Sequence, residues 1–231
     1  MGIKERQERD REAVRRAILD AARELFTTEG YGNVSIRKIA ERIEYSPAAI
    51  YGYFPSKDDI FFALAEEGFR LLSNPDRGTR VDLTALAPVD RIRAMFWRVY
   101  EFSRDCPQYY ALMFVDRSVP RISREYERFA FVQEMKAHML AQFRSCIEAG
   151  VLPPTIDPMC AFRLLFIGLT GLAVMRLSDR LGPGENADDL ARDVIDTLIA
   201  GLRSGVALRS CGACELPKPV EEVTSQARSD R

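Results

Sequence analysis

Apolar residues recur at helical spacing along nearly all of this chain. Val14, Ala17, Ile18, Ala21, Ala22, Leu25 and Phe26 fall on one helix face, and Gly30 supplies the C-terminal stop. Ile36, Ile39, Ala40 and Ile43 mark the inner stripe of a short second helix. Ser46-Pro47 is the sharpest punctuation. Serine caps a helix by accepting from its unpaired N–H groups, and proline suits the first helical position, where its missing N–H costs nothing. The helix it opens runs about two turns, with Ile50 and Phe54 four apart on its inner side. Ser56 caps the next helix, with Asp59 three residues on and Ile60, Phe61 and Leu64 facing inward.

Residues 73–87 are turn-rich and polar. Pro88 then opens a helix carrying Ile92, Met95, Phe96, Val99 and Tyr100, and Pro107 a short one with Tyr109, Tyr110 and Met113. A long helix is predicted from about 121 to 149, closed by Gly150. The Asp157-Pro158 cap opens another to about 181, where Gly182-Pro183-Gly184 breaks it, and a last one covers 187–203. No repeat and no convincing strand emerges, so the expected fold class is all-α. The division expected is a three-helix unit over 1–60, a larger helical domain over 61–203, and a polar tail over 204–231 expected to be disordered.

The last two helices have a distinct pattern. Leu164–Met175 is apolar on nearly every side, as in a helix covered on most faces. Leu190, Val194, Leu198 and Leu202, spaced by four, give its partner one stripe. Such a pair can bury one side in its own domain and another against a second subunit; an ordinary monomeric core has the same pattern. The apolar stretch of 12 residues contains Gly168, Thr170 and Gly171 and is shorter than a membrane span, which needs about 20. No membrane partner is expected.

Composition narrows the picture further. Of 231 residues, 47% are hydrophobic, ample for a core, and the net charge is −1. That balance argues against a generally basic nucleic-acid coat. Residues 1–57 carry 11 Lys and Arg against 9 Asp and Glu, so any DNA affinity must come from a few placed cations. Five scattered cysteines suit a reducing compartment, and the charged N-terminal run lacks the apolar stretch of a signal peptide; a cytoplasmic protein is expected. Cys211-Gly-Ala-Cys214 is half a zinc site with no second pair, so no metal and no cofactor is expected. A single histidine, no Gly-rich phosphate loop and no HExxH argue against an enzyme.

Residues 35–57 carry the most specific signal. Two short capped helices meet at a tight turn, and Arg37, Lys38, Tyr51, Tyr53 and Lys57 stand away from their apolar stripes, an arrangement suited to a DNA groove. The segment closely resembles the helix-turn-helix of the tetracycline-repressor (TetR/AcrR) family of bacterial transcriptional regulators. The match lies at Ser35, Ile39, Ala40, Ser46, Ile50, Tyr51, Tyr53, Phe54 and Lys57. Glu44 stands where that family commonly has a turn glycine, which predicts a left-handed residue there. Ala48 replaces a frequent Gly or Pro, and Gly52 sits late in the recognition helix.

The resemblance implies a dimeric regulator, a repressor released from a palindromic DNA operator by a small-molecule effector. The residues expected at DNA are Ser35, Arg37, Lys38, Pro47, Ala48, Tyr51, Tyr53 and Lys57. The homodimer interface is expected on the last two helices, at Leu169, Leu172, Leu190, Val194, Leu198 and Leu202. Trp97, Tyr100, Tyr110, Met113, Phe114 and His138 form an aromatic and sulfur-rich set that suits an apolar ligand pocket, although core packing explains any one of them as well. The alternatives are a dimeric helical small-molecule binder without DNA function and, less favoured, an enzyme.

Overall fold

The computed structural model describes residues 2–74, 83–121, 128–206 and 208–209. The expected tail therefore lies almost wholly outside the described residues, together with Cys211, Cys214, most of the turn-rich stretch and residues 122–127 of the expected long helix. The described elements are helical, with no strand among them: α1 (Ile3–Glu29), α2 (Ile36–Arg42), α3 (Pro47–Tyr51), α4 (Lys57–Ser73), α5 (Pro88–Asp105), α6 (Pro107–Tyr110), α7 (Ala130–Glu148), α8 (Pro158–Leu177) and α9 (Ala187–Arg203).

Local chemistry sets most of the boundaries. Ser35, Ser46, Ser56, Asp157 and Asn186 each accept a backbone N–H at the start of a helix. Glu44 adopts φ 59°, the left-handed turn that its position predicts. The helix expected to reach about 181 ends at Leu177 instead. There Asp179 turns left-handed at φ 52°, and Arg180 N bonds back to Met175 O at 2.8 Å, closing the helix before the Gly-Pro-Gly break. The long helix begins, as described, at Ala130, with Phe129 buried before it. After α6 the chain makes a single π turn over Ala111–Val115.

Helix α2 packs on α1 and α3, and α1 packs on α4, whose inner residues Ile60, Phe61, Leu64 and Ala65 are buried. Helices α5, α7, α8 and α9 form a bundle against its other end. One chain of aromatic contacts, with centroids 5.0–6.2 Å apart, crosses both halves. It runs Phe26–Tyr31–Phe61–Phe62–Phe129–Phe69–Phe114–Phe166–Phe162–Phe96–Phe143, mostly edge to face. By length and composition α8 would suffice to cross a membrane, so the 12-residue count from sequence was too short; here it packs between α5, α7 and α9.

Two outcomes follow for stability. A left-handed non-glycine residue costs about 1–2 kcal/mol, and a glycine about 0.5–1 kcal/mol in lost entropy, so Glu44→Gly should raise unfolding free energy by about 0.5–1 kcal/mol in urea titrations. Asp188 accepts from Tyr100 Oη at 2.5 Å and from Arg104 Nη1 at 3.3 Å. The Tyr100 hydrogen bond, aided by Arg104, holds its carboxyl below the usual carboxylate range. Its contribution is therefore present above about pH 4 and lost as pH falls through the lower folded value. The stability gap between the native chain and Asp188→Asn should stay constant near neutrality and narrow in acid. Burial and Asp188 push Tyr100 up to about 12, so its part is intact below about pH 10 and lost as pH rises past that.

Candidate functional site

Five of the eight residues expected at DNA line one open groove of about 530 Å³: Ser35, Arg37, Pro47, Tyr51 and Lys57. The two serine caps build it. Ser35 Oγ accepts from Lys38 N and Ser46 Oγ from Ala49 N, each at 3.2 Å, which fixes the starts of α2 and α3 beside one another. Arg37, Pro47, Ala48 and Tyr51 are exposed, the Arg37 side chain by 81%.

Each cation of α2 is held by a carboxylate. Arg37 Nε donates to Glu41 Oε1 at 2.8 Å, one turn along, and this bond raises the guanidinium's already high pKa. Lys38 pairs with Glu29, and Arg42 Nη2 with Glu24 at 2.5 Å, both across to α1. Exposed pairs of this kind are weak and exchangeable. The Arg37–Glu41 spacing was readable in the sequence; the two pairs to α1 were not.

Lys57 departs from its expected place at a phosphate. Its Nζ donates to Tyr31 O at 2.8 Å and Val34 O at 2.9 Å and lies 4.0 Å from the centroid of the Tyr31 ring. These carbonyls belong to the 3-10 turn at Tyr31–Asn33 and its exit, where helical partners run out. The ammonium thus secures the α1–α2 turn from the first residue of α4. Tyr53 is half-buried, with the Arg11 guanidinium 5.9 Å from its ring, and Arg15 lies 5.3 Å over Phe54.

The first helix also grips the larger domain. Arg16 donates to Asp20 on α1 and to Glu67 on α4, each at 2.7 Å, and this arrangement holds Asp20 below the usual carboxylate range. Arg23 Nη1 donates to Tyr109 Oη at 2.8 Å and its Nε to Gln108 Oε1 at 3.1 Å, both on α6. Asp116, at the end of the π turn, accepts from Tyr31 N.

The six residues expected around one pocket separate into three places. Tyr110, Met113 and Phe114 belong together on α6 and the π turn, with Tyr110 fully buried, its hydroxyl 2.9 Å from Thr170 Oγ1, and its ring 5.0 Å from Phe114. Trp97 instead lines a cleft between α5 and α9, with buried Tyr100 behind it at 5.0 Å. His138 is exposed on α7, because the apolar face of that helix passes through Met139, Leu140 and Phe143. Against the π turn, Gly68 of α4 faces Met113: a Cβ there would lie 2.3 Å from Met113 Sδ, so that flexible side chain would have to shift.

The expected interface residues also divide. Leu169, Leu172 and Leu202 are buried inside the protomer's own core and are corrected to that role. Leu190, Val194 and Leu198 are half-buried, and Val194 and Leu198 close over Gly168 of α8, where a Cβ would lie 2.7 and 3.1 Å from them. The exposed apolar side chains of α8 are Ile167 (59% exposed), Val174, Met175 and Leu177. Sequence reasoning did not single out Ile167, because an all-round apolar helix does not reveal which side is covered.

Lys57→Met should lower unfolding free energy by about 1–3 kcal/mol, since two carbonyls lose a charged donor. Thermal melts would check this; an unchanged melting temperature would return Lys57 to the surface role.

Residues 18–64 match the family described as bacterial regulatory proteins, tetR family, and residues 92–198 match the tetracyclin repressor-like C-terminal domain. The HTH-type transcriptional repressor Rv1474c of Mycobacterium tuberculosis is 46% identical over 55 residues, which are 24% of this chain and 29% of that protein. The chain thus matches less than a third of that relative's length. The HTH-type transcriptional repressor SCO4008 of Streptomyces coelicolor is 26% identical over 194 residues, 81% of this chain and 93% of that one. Among solved structures, the transcriptional regulator FadR of Bacillus subtilis in complex with stearoyl-CoA superposes with a TM-score of 0.63 at 16% identity, covering 80% of this chain and 97% of that one, a likeness of fold.

Proposed function

The chain belongs to the tetracycline-repressor family of bacterial transcriptional regulators, and from that premise we propose that it is a homodimeric repressor released from a palindromic operator by a small, largely apolar effector. The observation that carries the DNA-reading part is the groove in which Ser35, Arg37, Pro47 and Tyr51 stand together beside the start of α3. In this reading Arg37, Pro47, Ala48 and Tyr53 approach base edges, with Arg37 the residue suited to guanine, while Ser35, Lys38 and Tyr51 meet phosphates. Lys57 acts through the turn it secures.

The unit over 1–60 reads DNA and the domain over 61–203 senses and dimerises. The exposed apolar stripe of α8, continued by Leu190, Val194 and Leu198 of α9, is the surface offered to the second subunit. The effector enters beside Tyr110, Met113 and Phe114, where Met113 abuts α4 at Gly68. Displacing that turn moves α4, and with it the spacing of the two recognition helices; DNA then favours one conformation and the effector the other. The acyl-CoA held by the Bacillus subtilis protein supports an effector with an apolar body. The protein works in the cytoplasm, and no enzymatic step is assigned to it.

Gel-shift and footprinting of the full chain on DNA flanking its own coding region should reveal a near-palindromic site, as twofold symmetry requires. Arg37→Ala should relax discrimination at one base pair per half-site by about 1–3 kcal/mol. Ile167→Asp should leave the protomer's helix content intact while sedimentation shows monomers and DNA affinity falls sharply. A dimer that survives Ile167→Asp would move the interface elsewhere, and a chain that binds no DNA would favour the small-molecule binder.

A further inference from the structure

The cleft between α5 and α9 is not part of the buried cluster at Tyr110. It encloses about 420 Å³ and is lined by Leu86, Asp90, Arg93, Ala94, Trp97, Arg98, Arg192, Ile195 and Asp196. That volume falls within the range of small-molecule sites. Its floor is apolar: Ala94 is small, and Ile195 is buried beneath it. Its rim carries Arg93, Arg98 and Arg192 together with Asp90 and Asp196. Arg93 spans the cleft, its Nη1 bonded to Asp90 at 2.7 Å on its own helix and its Nε to Asp196 at 2.6 Å on α9. Arg192 lies 4.7 Å from the Trp97 ring and donates to Asp189 at 3.0 Å.

We propose that this cleft is a second binding site, for a small amphipathic carboxylate whose apolar body lies on Ala94, Trp97 and Ile195 and whose acid group is received by Arg93 and Arg192. An arginine already aligned by a carboxylate presents its remaining N–H donors in a fixed direction, which suits bidentate capture of an acid group.

Behind Trp97 a column of contacts leads inward. Tyr100 packs on Trp97 at 5.0 Å, Arg176 lies 5.6 Å from the Tyr100 ring, and Arg176 also donates to Ser103 on α5. The buried Arg176 Nη1 has no hydrogen-bond partner among the described residues. A ligand that shifts Trp97 thus presses on a polar cluster that already holds one unsatisfied donor. Binding at the cleft stands independently of the regulatory reading, since it is measured without DNA.

Trp97 is the single tryptophan, so the full chain carries its own reporter. Octanoate, which does not absorb where tryptophan does, should change the emission of Trp97 saturably, and 1-octanol should not do so at the same concentrations. Ala94→Phe fills the floor and should abolish the response while circular dichroism and the melting temperature stay as in the native chain. Arg192→Gln, at an exposed position, should weaken octanoate about tenfold, as for loss of one charge-assisted hydrogen bond, and carries the test should Ala94→Phe fail to fold. No saturable change with octanoate, an equal response to octanol, or native affinity in Arg192→Gln would overturn the proposal. Failure here leaves the DNA-reading function untouched, because gel-shift decides that separately.

Discussion

The placement of α2 and α3 depends on how Tyr31 and Lys57 hold each other. Tyr31 occupies the turn after α1, and Lys57 is the first residue of α4. The ammonium sits on the tyrosine ring and ties two carbonyls of the turn. The same tyrosine donates its hydroxyl to Asp58, which helps burial raise its pKa, and its backbone N–H to Asp116 at the end of the π turn. Three segments distant in sequence therefore converge on one residue. Where α2 starts, and so where Ser35 and Arg37 point, follows from that convergence. A lysine is suited to the place because one compact cation can satisfy several carbonyls at once.

From Tyr31 the packing continues as aromatic rings into the second half, which makes α4 a shared wall rather than a linker. Phe61 and Phe62 face the DNA-side elements and Phe129, while Phe69 faces Phe114 and Phe131. Edge-to-face contacts are short-ranged, so a shifted ring is accommodated by its neighbours moving in turn. The ion pairs of Arg16 and Arg23 add polar fasteners from α1 to α4 and α6. At Gly68 the Met113 side chain lies against the bare backbone of α4.

What the sequence made legible was local. The caps at Ser35, Ser46, Ser56 and Asp157 depend on neighbours within three residues, and each was read directly. The left-handed Glu44 and the bounds of α9 were legible for the same reason. Contacts across the chain were not. Nothing near Lys57 in sequence points to Tyr31 and Val34, and nothing near Lys38 points to Glu29. His138 and Trp97 joined a single expected pocket because side-chain chemistry suggested it. Their actual separation depends on the rotation of α5 and α7 about their own axes, which tertiary packing decides. On α8 the pattern was apolar all round, so burial of Leu169 and exposure of Ile167 could not be told apart.

In the proposed DNA-reading role, the carboxylates that hold Arg37, Lys38 and Arg42 have a consequence for the thermodynamics of association. Glu41, Glu29 and Glu24 are resident counterions. When a phosphate takes over one of these cations, the displaced carboxylate gathers a mobile cation from solution while the DNA gives one up. The two exchanges oppose each other, so net ion release is smaller than a count of basic contacts implies. A regulator built this way gives up some affinity in dilute buffer and keeps a larger share of it as the ionic composition of its surroundings rises.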